Sequence, residues 1–194
     1  MNILAFADLH AHKVSMEKLR KKSKEADIII AAGDMSIFGN HLDTVMGFLI
    51  SLGKPVLVLH GNHESEEEVI GLVGGSMHFI HNSSFMFAGT LFIGWGGGGF
   101  SMVDTAFERN MKAFISQCSH SKKTVFITHQ PPYGTKLDKI YGSYVGNKSF
   151  RTFIRQAQPT LAISGHIHET ARKTDLLGKT FLVNPGPEGM LLKV

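Results

Sequence analysis

The stretch that decides the fold is Ile28-Ile29-Ile30-Ala31-Ala32-Gly33-Asp34, a continuously apolar run that ends in a glycine and a carboxylate. Similar apolar runs occupy residues 3–7 and 55–59, and polar residues follow each of them. A strand that is apolar throughout is buried on both faces, which is typical of parallel sheets covered by helices. Apolar residues at helical spacing in residues 14–25 and 42–52 predict the helical crossovers between these strands. The first half of the chain therefore predicts an α/β fold.

The remaining chain adds further strands and helices. Close-set short strands, which predict a meander, lie at residues 77–80, 85–88 and 91–93. Later segments predict buried strands at residues 124–128 and 161–164, amphipathic helices at 103–118 and 148–157, and a closing hairpin around 184–186. Because no repeat or linker interrupts this pattern, residues 1–194 are expected to form one domain.

The composition limits the class of protein. A hydrophobic fraction of 43% and a charged fraction of 19% exclude a disordered chain. The net charge of +4 permits nucleic acid as a partner without requiring it. Cys118 is the only cysteine, which excludes an intrachain disulfide and a zinc site built on several thiolates. No apolar run approaches the ~18 residues of a membrane span. The first residues predict a strand rather than a signal peptide, so we expect a cytoplasmic protein without a membrane partner.

Residues of the types that bind metals follow five of the predicted strands. In chain order they are Asp8 and His10, then Asp34, then Asn62 and His63, then His129, and finally His166 and His168. Sites in sheets with helical crossovers form beyond the carboxyl ends of the strands. Residues i and i+2 of an extended chain point the same way, so His166 and His168 are expected to line one pocket, as are Asp8 and His10. Oxygen and imidazole ligands without thiolates favour manganese, iron, zinc, nickel or cobalt.

Each of these residues alone is a weak indication. A lone histidine is usually a core or surface residue, an aspartate before a helix is usually an N-cap, and Asn62 before His63 fits ordinary turn chemistry. The combination of Asp-x-His, Gly-Asp, Gly-Asn-His-Glu, a strand-end histidine and Gly-His-x-His, in this order, is improbable by chance. We therefore interpret the set as one metal site.

With these motifs the sequence resembles the calcineurin-like metallophosphoesterase superfamily, and its small bacterial and archaeal phosphodiesterases in particular. The matching stretches are Asp8-Leu9-His10, Gly33-Asp34, Gly61-Asn62-His63-Glu64, His129 and Gly165-His166-Ile167-His168. The resemblance implies a four-layer αββα sandwich, in which helices flank two mixed β-sheets. It also implies a dinuclear centre of two divalent metal ions, with manganese as the expected metal.

The resemblance further implies a role for each residue. One ion would be held by Asp8, His10 and His168. The other ion would be held by Asn62, His129 and His166, and Asp34 would bridge the two. His63 would be the catalytic residue, and Asn62 and His63 would contact the substrate.

The implied activity is hydrolysis of a phosphate ester, most specifically a phosphodiester, by in-line attack of a hydroxide held by the dinuclear centre. The expected partner is a small phosphoester, with a nucleotide as one candidate. Residues 35–39 lack the arginine that the protein phosphatase branch carries after Gly-Asp, which favours diesters. The alternatives are a phosphomonoesterase or nuclease of the same superfamily and a non-catalytic protein-interaction module with this fold. A nucleic-acid partner and a homo-oligomer stay open.

Two segments have no assigned role, namely the glycine-rich residues 94–99 and the loop 130–146. Residues 94–99 match G-x-G-x-x-G, but a dinucleotide site needs a strand–helix–strand unit and a meander is expected here. A flexible loop beside the site, with Trp95 either packing or facing substrate, is the favoured interpretation. Structural or supporting roles, rather than ligation, are expected for His12, His41 and His60.

Overall fold

The computed structural model describes residues 1–194, with strands in two large sheets and one small ribbon. The strands are β1 (Asn2–Phe6), β2 (Ile28–Ala32), β3 (Val56–Leu59), β4 (Met77–Phe79), β5 (Ser83–Phe87), β6 (Thr90–Trp95), β7 (Thr124–Thr128), β8 (Lys139–Ile140), β9 (Ser143–Tyr144), β10 (Leu161–Ile163), β11 (Thr174–Leu177), β12 (Thr180–Val183) and β13 (Met190–Lys193). The helices are α1 (Lys13–Ser23), α2 (Leu42–Ser51), α3 (Glu66–Ile70), α4 (Thr105–Ser119) and α5 (Lys148–Ala157), and a 3-10 helix spans His168–Thr170.

The first sheet has the strand order β13-β1-β2-β3-β4. All neighbours in it run parallel except β13, which pairs antiparallel with β1. Helices α1 and α2 make the crossovers between β1, β2 and β3. The apolar runs of β2 and β3 are buried along their whole length, as a strand covered on both faces requires.

The second sheet has the order β11-β12-β10-β7-β6-β5. Its four central strands run parallel, and the edge strands β5 and β11 run antiparallel to their neighbours. Helix α4 connects β6 to β7 and α5 lies between β7 and β10. Both sheets therefore present the carboxyl ends of several parallel strands, which is where polar residues follow in the sequence.

Alternate residues of the central strands face opposite layers. Leu4 and Phe6 of β1 belong to the core that includes α1 and α2, whereas Ile3 and Ala5 belong to the core between the two sheets. A third core, built around Phe107 of α4, joins the second sheet to α4 and α5. The layer order is helix, sheet, sheet, helix, which confirms the predicted αββα sandwich of two mixed sheets.

The predicted meander is wrong, because the chain changes sheets between β4 and β5. Met77 of β4 pairs in parallel with Val56 in the first sheet, whereas β5 pairs antiparallel with β6 in the second. The crossing follows Ile80, which is buried between the sheets, and passes through Asn82, whose φ is 47°. Short apolar strands that lie close in sequence carry no signal for the sheet that each one joins.

The predicted hairpin around residues 184–186 is also wrong. Strand β12 belongs to the second sheet, and β13 returns to the first sheet beside β1. The connection passes the site, where Gly186 O accepts a hydrogen bond from the Ala7 N–H (3.2 Å). The hairpin at this end of the chain is instead β11–β12, which turns at Gly178.

One helix begins later than predicted, because a side chain caps its first turn. Helix α4 begins at Thr105 rather than at residue 103, because the Asp104 carboxylate caps it and accepts the Phe107 N–H (2.8 Å). Among the helices there is none whose length and apolar character match those of a transmembrane segment.

Candidate metal centre

The residues predicted for the site meet where the carboxyl ends of both sheets converge. They form three overlapping groups of donor atoms, namely Asp8 with His10 and His168, Asp34 with His129 and His166, and His10 with Asp34 and His63. Within each group, all donor atoms lie within 4.8 Å of one another. Asn62 joins the second group, because its Oδ1 lies 3.0 Å from His129 Nε2. The structure thus brings every predicted site residue together.

The two large sheets contribute to each of the first two groups. Asp8 and His10 follow β1 of the first sheet, and Asp34 follows β2. His129 follows β7 of the second sheet, and His166 and His168 follow β10. The two groups are in direct contact, because the backbone N–H of His166 donates to both carboxylate oxygens of Asp8 (3.0 and 3.1 Å). The candidate centre is therefore a product of sheet packing and not of one local motif.

Several donor residues lie in left-handed backbone and not in extended chain. The angle φ is 56° at Asp8, 48° at His10 and 70° at His166, while His168 begins the 3-10 helix. The expectation that His166 and His168 line one pocket is therefore wrong, since His166 lies with Asp34 and His168 lies with Asp8. His166 and His168 thus belong to different donor groups.

Two glycines make room for this arrangement. Gly33 has a φ of 90°, and a Cβ there would lie 2.5 Å from His129 Nδ1. A Cβ on Gly61 would overlap the Asp34 carboxylate. Any side chain at either position would displace a donor residue, so these glycines of the Gly-Asp and Gly-Asn-His-Glu motifs are steric requirements of the site.

Backbone carbonyls orient two of the imidazoles. His10 Nδ1 lies 2.8 Å from Ser36 O, and His129 Nδ1 lies 2.9 Å from Ala32 O. A ring whose Nδ1–H donates to a carbonyl presents Nε2 on its opposite side, which is the arrangement usual for histidine ligands. Accordingly His10 Nε2 faces His168 Nε2 at 3.2 Å, and His129 Nε2 faces Asp34 Oδ2 at 3.2 Å.

Glu64 is a supporting residue to which the sequence analysis assigned no role. Its buried carboxylate accepts the backbone N–H groups of Asp34 (3.1 Å), Gly61 (3.1 Å) and Ser36 (2.7 Å), and the Ser36 hydroxyl (2.9 Å). It therefore joins the loops after β2 and β3. The available signal was its position as the last residue of Gly-Asn-His-Glu.

Asp34 and His129 form a buried pair that shifts both pKa values. Burial raises the pKa of Asp34, but the hydrogen bond and charge of His129 outweigh it and lower the pKa to about 2. Burial lowers the pKa of His129, but the hydrogen bond and charge of Asp34 outweigh it and raise the pKa to about 9. His129 is therefore a cation at neutral pH in this structure.

The pKa of His166 is shifted in the opposite direction to that of His129. Burial, followed by the charge of His129, lowers the pKa of His166 to about 4, so the ring is neutral at pH 7. Its Nε2 is buried and has no hydrogen-bond partner. Burial also raises the pKa of the neighbouring Asp8 carboxyl. A neutral imidazole nitrogen without a partner, beside two buried carboxylates, fits a bound cation.

His63 lies at the rim of the centre. The backbone N–H of His63 donates to Asp34 Oδ1 (3.0 Å), and the ring Nε2 lies 3.9 Å from Asp34 Oδ2. Its Nδ1 is buried without a hydrogen-bond partner. The centre of the Phe38 ring, which is 75% exposed, lies 4.4 Å from the centre of the His63 ring, with an angle of 47° between the ring planes. His63 is close enough to the donor atoms to act on a group bound there.

A cavity of about 430 Å³ opens beside Asp8, His10 and His168. Its other lining residues are mostly apolar and comprise Leu9, His12, Ile37, Ala171 and Pro187. No lysine or arginine lines it. The cavity has room for an organic group next to the donor atoms, within the size range of small-molecule sites.

The glycine-rich segment connects β6 to α4 and so lies in a strand–helix–strand unit, contrary to the expected meander. It is nevertheless no dinucleotide loop, because the N-cap of α4 is the carboxylate of Asp104, which would repel a phosphate. Trp95 is buried, and its Nε1–H donates to Asp104 Oδ2 (2.7 Å), so Trp95 packs and does not face substrate.

Contacts at both ends hold the segment beside the centre. The Gly97 N–H donates to His60 O (2.9 Å), which gives His60 a structural role. At the other end, the exposed Phe100 ring lies 4.7 Å from the His166 ring. His12 lines the cavity and His41 precedes α2, and neither belongs to a donor group.

Comparison with known proteins identifies the family. The model of the calcineurin-like phosphoesterases matches residues 1–170, so the chain belongs to this family. A Synechococcus sp. protein named as a probable cyclic nucleotide phosphodiesterase is 24% identical over 155 residues, which cover 76% of this chain. The match spans 60% of that protein's length.

Two solved structures have the same fold. The protein TT1561 of Thermus thermophilus superimposes with a TM-score of 0.75 at 18% identity and covers 95% of this chain and 88% of its own. A dimetal phosphatase from Danio rerio superimposes with a TM-score of 0.69 at 13% identity and covers 94% and 86%. The family is one of phosphoester hydrolases, and this chain carries candidate metal ligands for such an activity.

Proposed function

We propose that this protein is a metal-dependent phosphodiesterase whose residues 1–194 form one catalytic domain. The observation that carries the proposal is the contact between the two donor groups, one around Asp8 and one around Asp34. Each group combines a carboxylate with two imidazoles, a set that suits manganese and neighbouring transition metals. We accordingly propose two bound divalent ions, with manganese as the first candidate.

In this proposal each of the two ions has its own set of ligands. One ion is held by Asp8, His10 and His168, and the other by Asn62, His129 and His166. Asp34 belongs to two of the three donor groups, which supports its role as the bridging carboxylate. When bound, the ions supply Lewis-acid catalysis, which polarises a phosphate ester and lowers the pKa of a water molecule.

His63 acts on the substrate in this proposal. Its ring lies 4.9 Å from the His10 ring, so a phosphate at the donor groups is within reach of its Nε2. From there His63 protonates the leaving oxygen as a general acid. Asn62 is exposed beside His129, and its amide contacts the phosphate without adding negative charge to the centre.

A diester is the favoured substrate because the site has few cations of its own. A monoester dianion calls for basic side chains, whereas no lysine or arginine lines the cavity. A diester carries one charge less, and the apolar cavity has room for an ester substituent. The name of the Synechococcus relative supports a phosphodiester, with nucleotides as the first substrates to test.

The test is a metal-reconstituted comparison of substrates. We expect the chelated protein to be inactive, and Mn²⁺ to restore hydrolysis of bis(4-nitrophenyl) phosphate with a higher kcat/KM than that of 4-nitrophenyl phosphate. Asp34→Asn should abolish the activity, while Asp43→Asn, an exposed aspartate of α2, is the matched control. A preference for the monoester would assign the protein to the phosphomonoesterases. Full metal occupancy without any hydrolysis would favour a non-catalytic interaction module.

A further inference from the structure

All three tyrosines of the chain, Tyr133, Tyr141 and Tyr144, lie in the loop between β7 and α5. Residues 130–151 also carry four basic residues, Lys136, Lys139, Lys148 and Arg151, and a single acidic one, Asp138. Asp138 is fully buried, and its carboxylate accepts the backbone N–H groups of Gly134, Thr135 and Gly146. The outer face of this loop is therefore aromatic and cationic.

A chain of contacts runs from the candidate metal centre to this face. The ring of Phe100 lies 4.7 Å from that of His166, and two residues further on Met102 O accepts the Lys148 N–H (2.8 Å). Lys148 Nζ lies 5.0 Å from the centre of the Tyr133 ring.

The path continues into the β8–β9 ribbon, where aromatic rings and ammonium groups alternate. The Tyr133 and Tyr144 rings are 5.8 Å apart, and Lys139 Nζ lies 5.7 Å from the Tyr144 ring. Lys139, Tyr144 and Lys148 are exposed to solvent. The face formed by Tyr133, Lys139, Tyr141, Tyr144 and Lys148 is called here the tyrosine–lysine surface.

Tyr141 combines a fully exposed side chain with a left-handed backbone conformation. It lies at the turn of the β8–β9 ribbon, has a φ of 46°, and is 99% exposed. A left-handed turn position favours glycine or asparagine, and a bulky side chain there is strained. No contact of its ring compensates for this strain. A strained and fully exposed aromatic ring points to a role in binding.

We propose that the tyrosine–lysine surface binds a single-stranded oligonucleotide and leads it to the metal centre. Bases would stack on the tyrosine rings, and phosphates would contact Lys139 and Lys148, which is the pattern by which proteins hold single strands. Among the acidic groups nearby, Asp138 is buried, Asp175 lies 3.9 Å from Lys136 in an ion pair, and the exposed Glu108 accepts a hydrogen bond from the Ser149 hydroxyl (2.7 Å). Cleavage of the bound strand rests on the proposed phosphodiesterase function, whereas binding does not.

The test measures binding directly. Fluorescence anisotropy with the metal-loaded protein would use a labelled phosphorothioate strand of about 12 nucleotides, which resists cleavage and fits the site sizes of such proteins. We expect Tyr144→Ala and Tyr141→Gly each to weaken binding about 5- to 150-fold, as loss of a stacked base does. Tyr144→Phe should bind like the wild type. Lys139→Ala should reduce the slope of log K against log salt by about 0.7.

Two controls isolate the surface and the chemistry of the ligand. Lys24→Ala, at the C-terminal end of α1 in the other helical layer, should leave affinity unchanged. An abasic strand of the same length should bind at least tenfold more weakly. Thermal unfolding of each variant excludes loss of fold as the cause of weaker binding.

The outcomes separate this inference from the proposed function. Equal binding of the abasic strand, no effect of Tyr144→Ala, or tighter binding of a glutamate-rich peptide would overturn the oligonucleotide surface. Hydrolysis of the aryl diester without oligonucleotide binding would overturn only this inference. Tyrosine-dependent oligonucleotide binding by a protein that hydrolyses no diester would support this surface and overturn the phosphodiesterase.

Discussion

Nε2 of His129 lies 3.2 Å from Oδ2 of Asp34, and both side chains are buried at the end of the core between the sheets. In the metal-free protein this contact is an ion pair, because Asp34 holds the pKa of His129 at about 9. A metal ion and the Nε2 proton compete for the same nitrogen, since only neutral imidazole ligates. The two states of the site therefore differ in protonation as well as in metal content.

Metal uptake should release about one proton per chain at pH 7.5, because His129 must give up its Nε2 proton before it ligates. The apparent metal affinity should increase with pH up to about 9, the pKa of His129 in the metal-free protein. Calorimetric titration with Mn²⁺ in two buffers that differ in ionisation enthalpy measures the released proton. Binding without proton release at pH 7.5 would contradict the assignment of His129 as a ligand.

Stability without metal should decrease as pH rises from about 7.5 to 8.5. The folded pKa of His129, about 9, exceeds its ordinary value of 6.5, so its contribution is complete below pH 6.5 and is lost as pH rises through 9. His60 and His166, with pKa values lowered to about 4, oppose this trend only below about pH 7.5, because at higher pH these histidines are neutral in the unfolded state as well and add no slope. Thermal unfolding in chelator should therefore give a lower Tm at pH 8.5.

Asp34→Asn is the control for this pH dependence. Without the carboxylate, the two largest causes that raise the pKa of His129 are lost and only the charge of Asp8 and the Ala32 carbonyl still oppose burial, so the Tm of the variant should fall less over the same range. Asparagine tolerates the left-handed backbone at this position, where φ is 52°, so the substitution keeps the turn. An equal fall of Tm in wild type and variant would assign the pH dependence to another group.

Glu64→Gln should destabilise the protein by about 1–3 kcal/mol, the cost of leaving a buried polar group without its partner. The amide nitrogen would face N–H donors that now bond to the carboxylate of Glu64. Urea unfolding in chelator measures the loss. Glu67→Gln, in the first turn of α3 and exposed, is the matched control. Because Glu64 joins the loops that carry Asp34 and Asn62, metal affinity should also fall.

His63→Ala should keep both metals and lose rate, by about 10²- to 10⁴-fold for substrates with alkoxide leaving groups. The loss should be smaller for a nitrophenolate, which departs without a proton. Metal content by elemental analysis and the leaving-group dependence of kcat test these statements together. Loss of a metal ion would make His63 a ligand, as its place beside His10 and Asp34 also permits. Equal slowing of all leaving groups would exclude general acid catalysis.

The donor residues were predictable because each follows a buried strand, where the hydrophobic pattern stops abruptly. Asp8 follows β1, Asp34 comes two residues after β2, and His129 follows β7 directly. Parallel topology then requires these ends to share one edge of a sheet. The hydrophobic pattern could not show how the two sheets pack on each other, so only the family resemblance implied which donors would be neighbours.

Other features depend on contacts that no local pattern reports. The carboxylate of Glu64 is informative only when the loops after β2 and β3 are known to meet around it. Phe100 lies in an aperiodic loop, and its position beside His166 follows from the anchoring of that loop at Gly97. The crossing at Asn82 was missed because an apolar strand fits either sheet equally well.

Each of the two donor groups built on Asp8 and on Asp34 combines residues from both sheets, and this has a mechanical consequence. An ion held by Asp8 and His168, or by Asp34 and His129, would tie together two layers that otherwise adhere mainly through the apolar core between them. The centre would then cross-link the two sheets at one end of the sandwich. Amide hydrogen exchange should slow on metal binding in β1, β2, β7 and β10 together, whereas β5 and β11 at the far edges should keep their exchange rates.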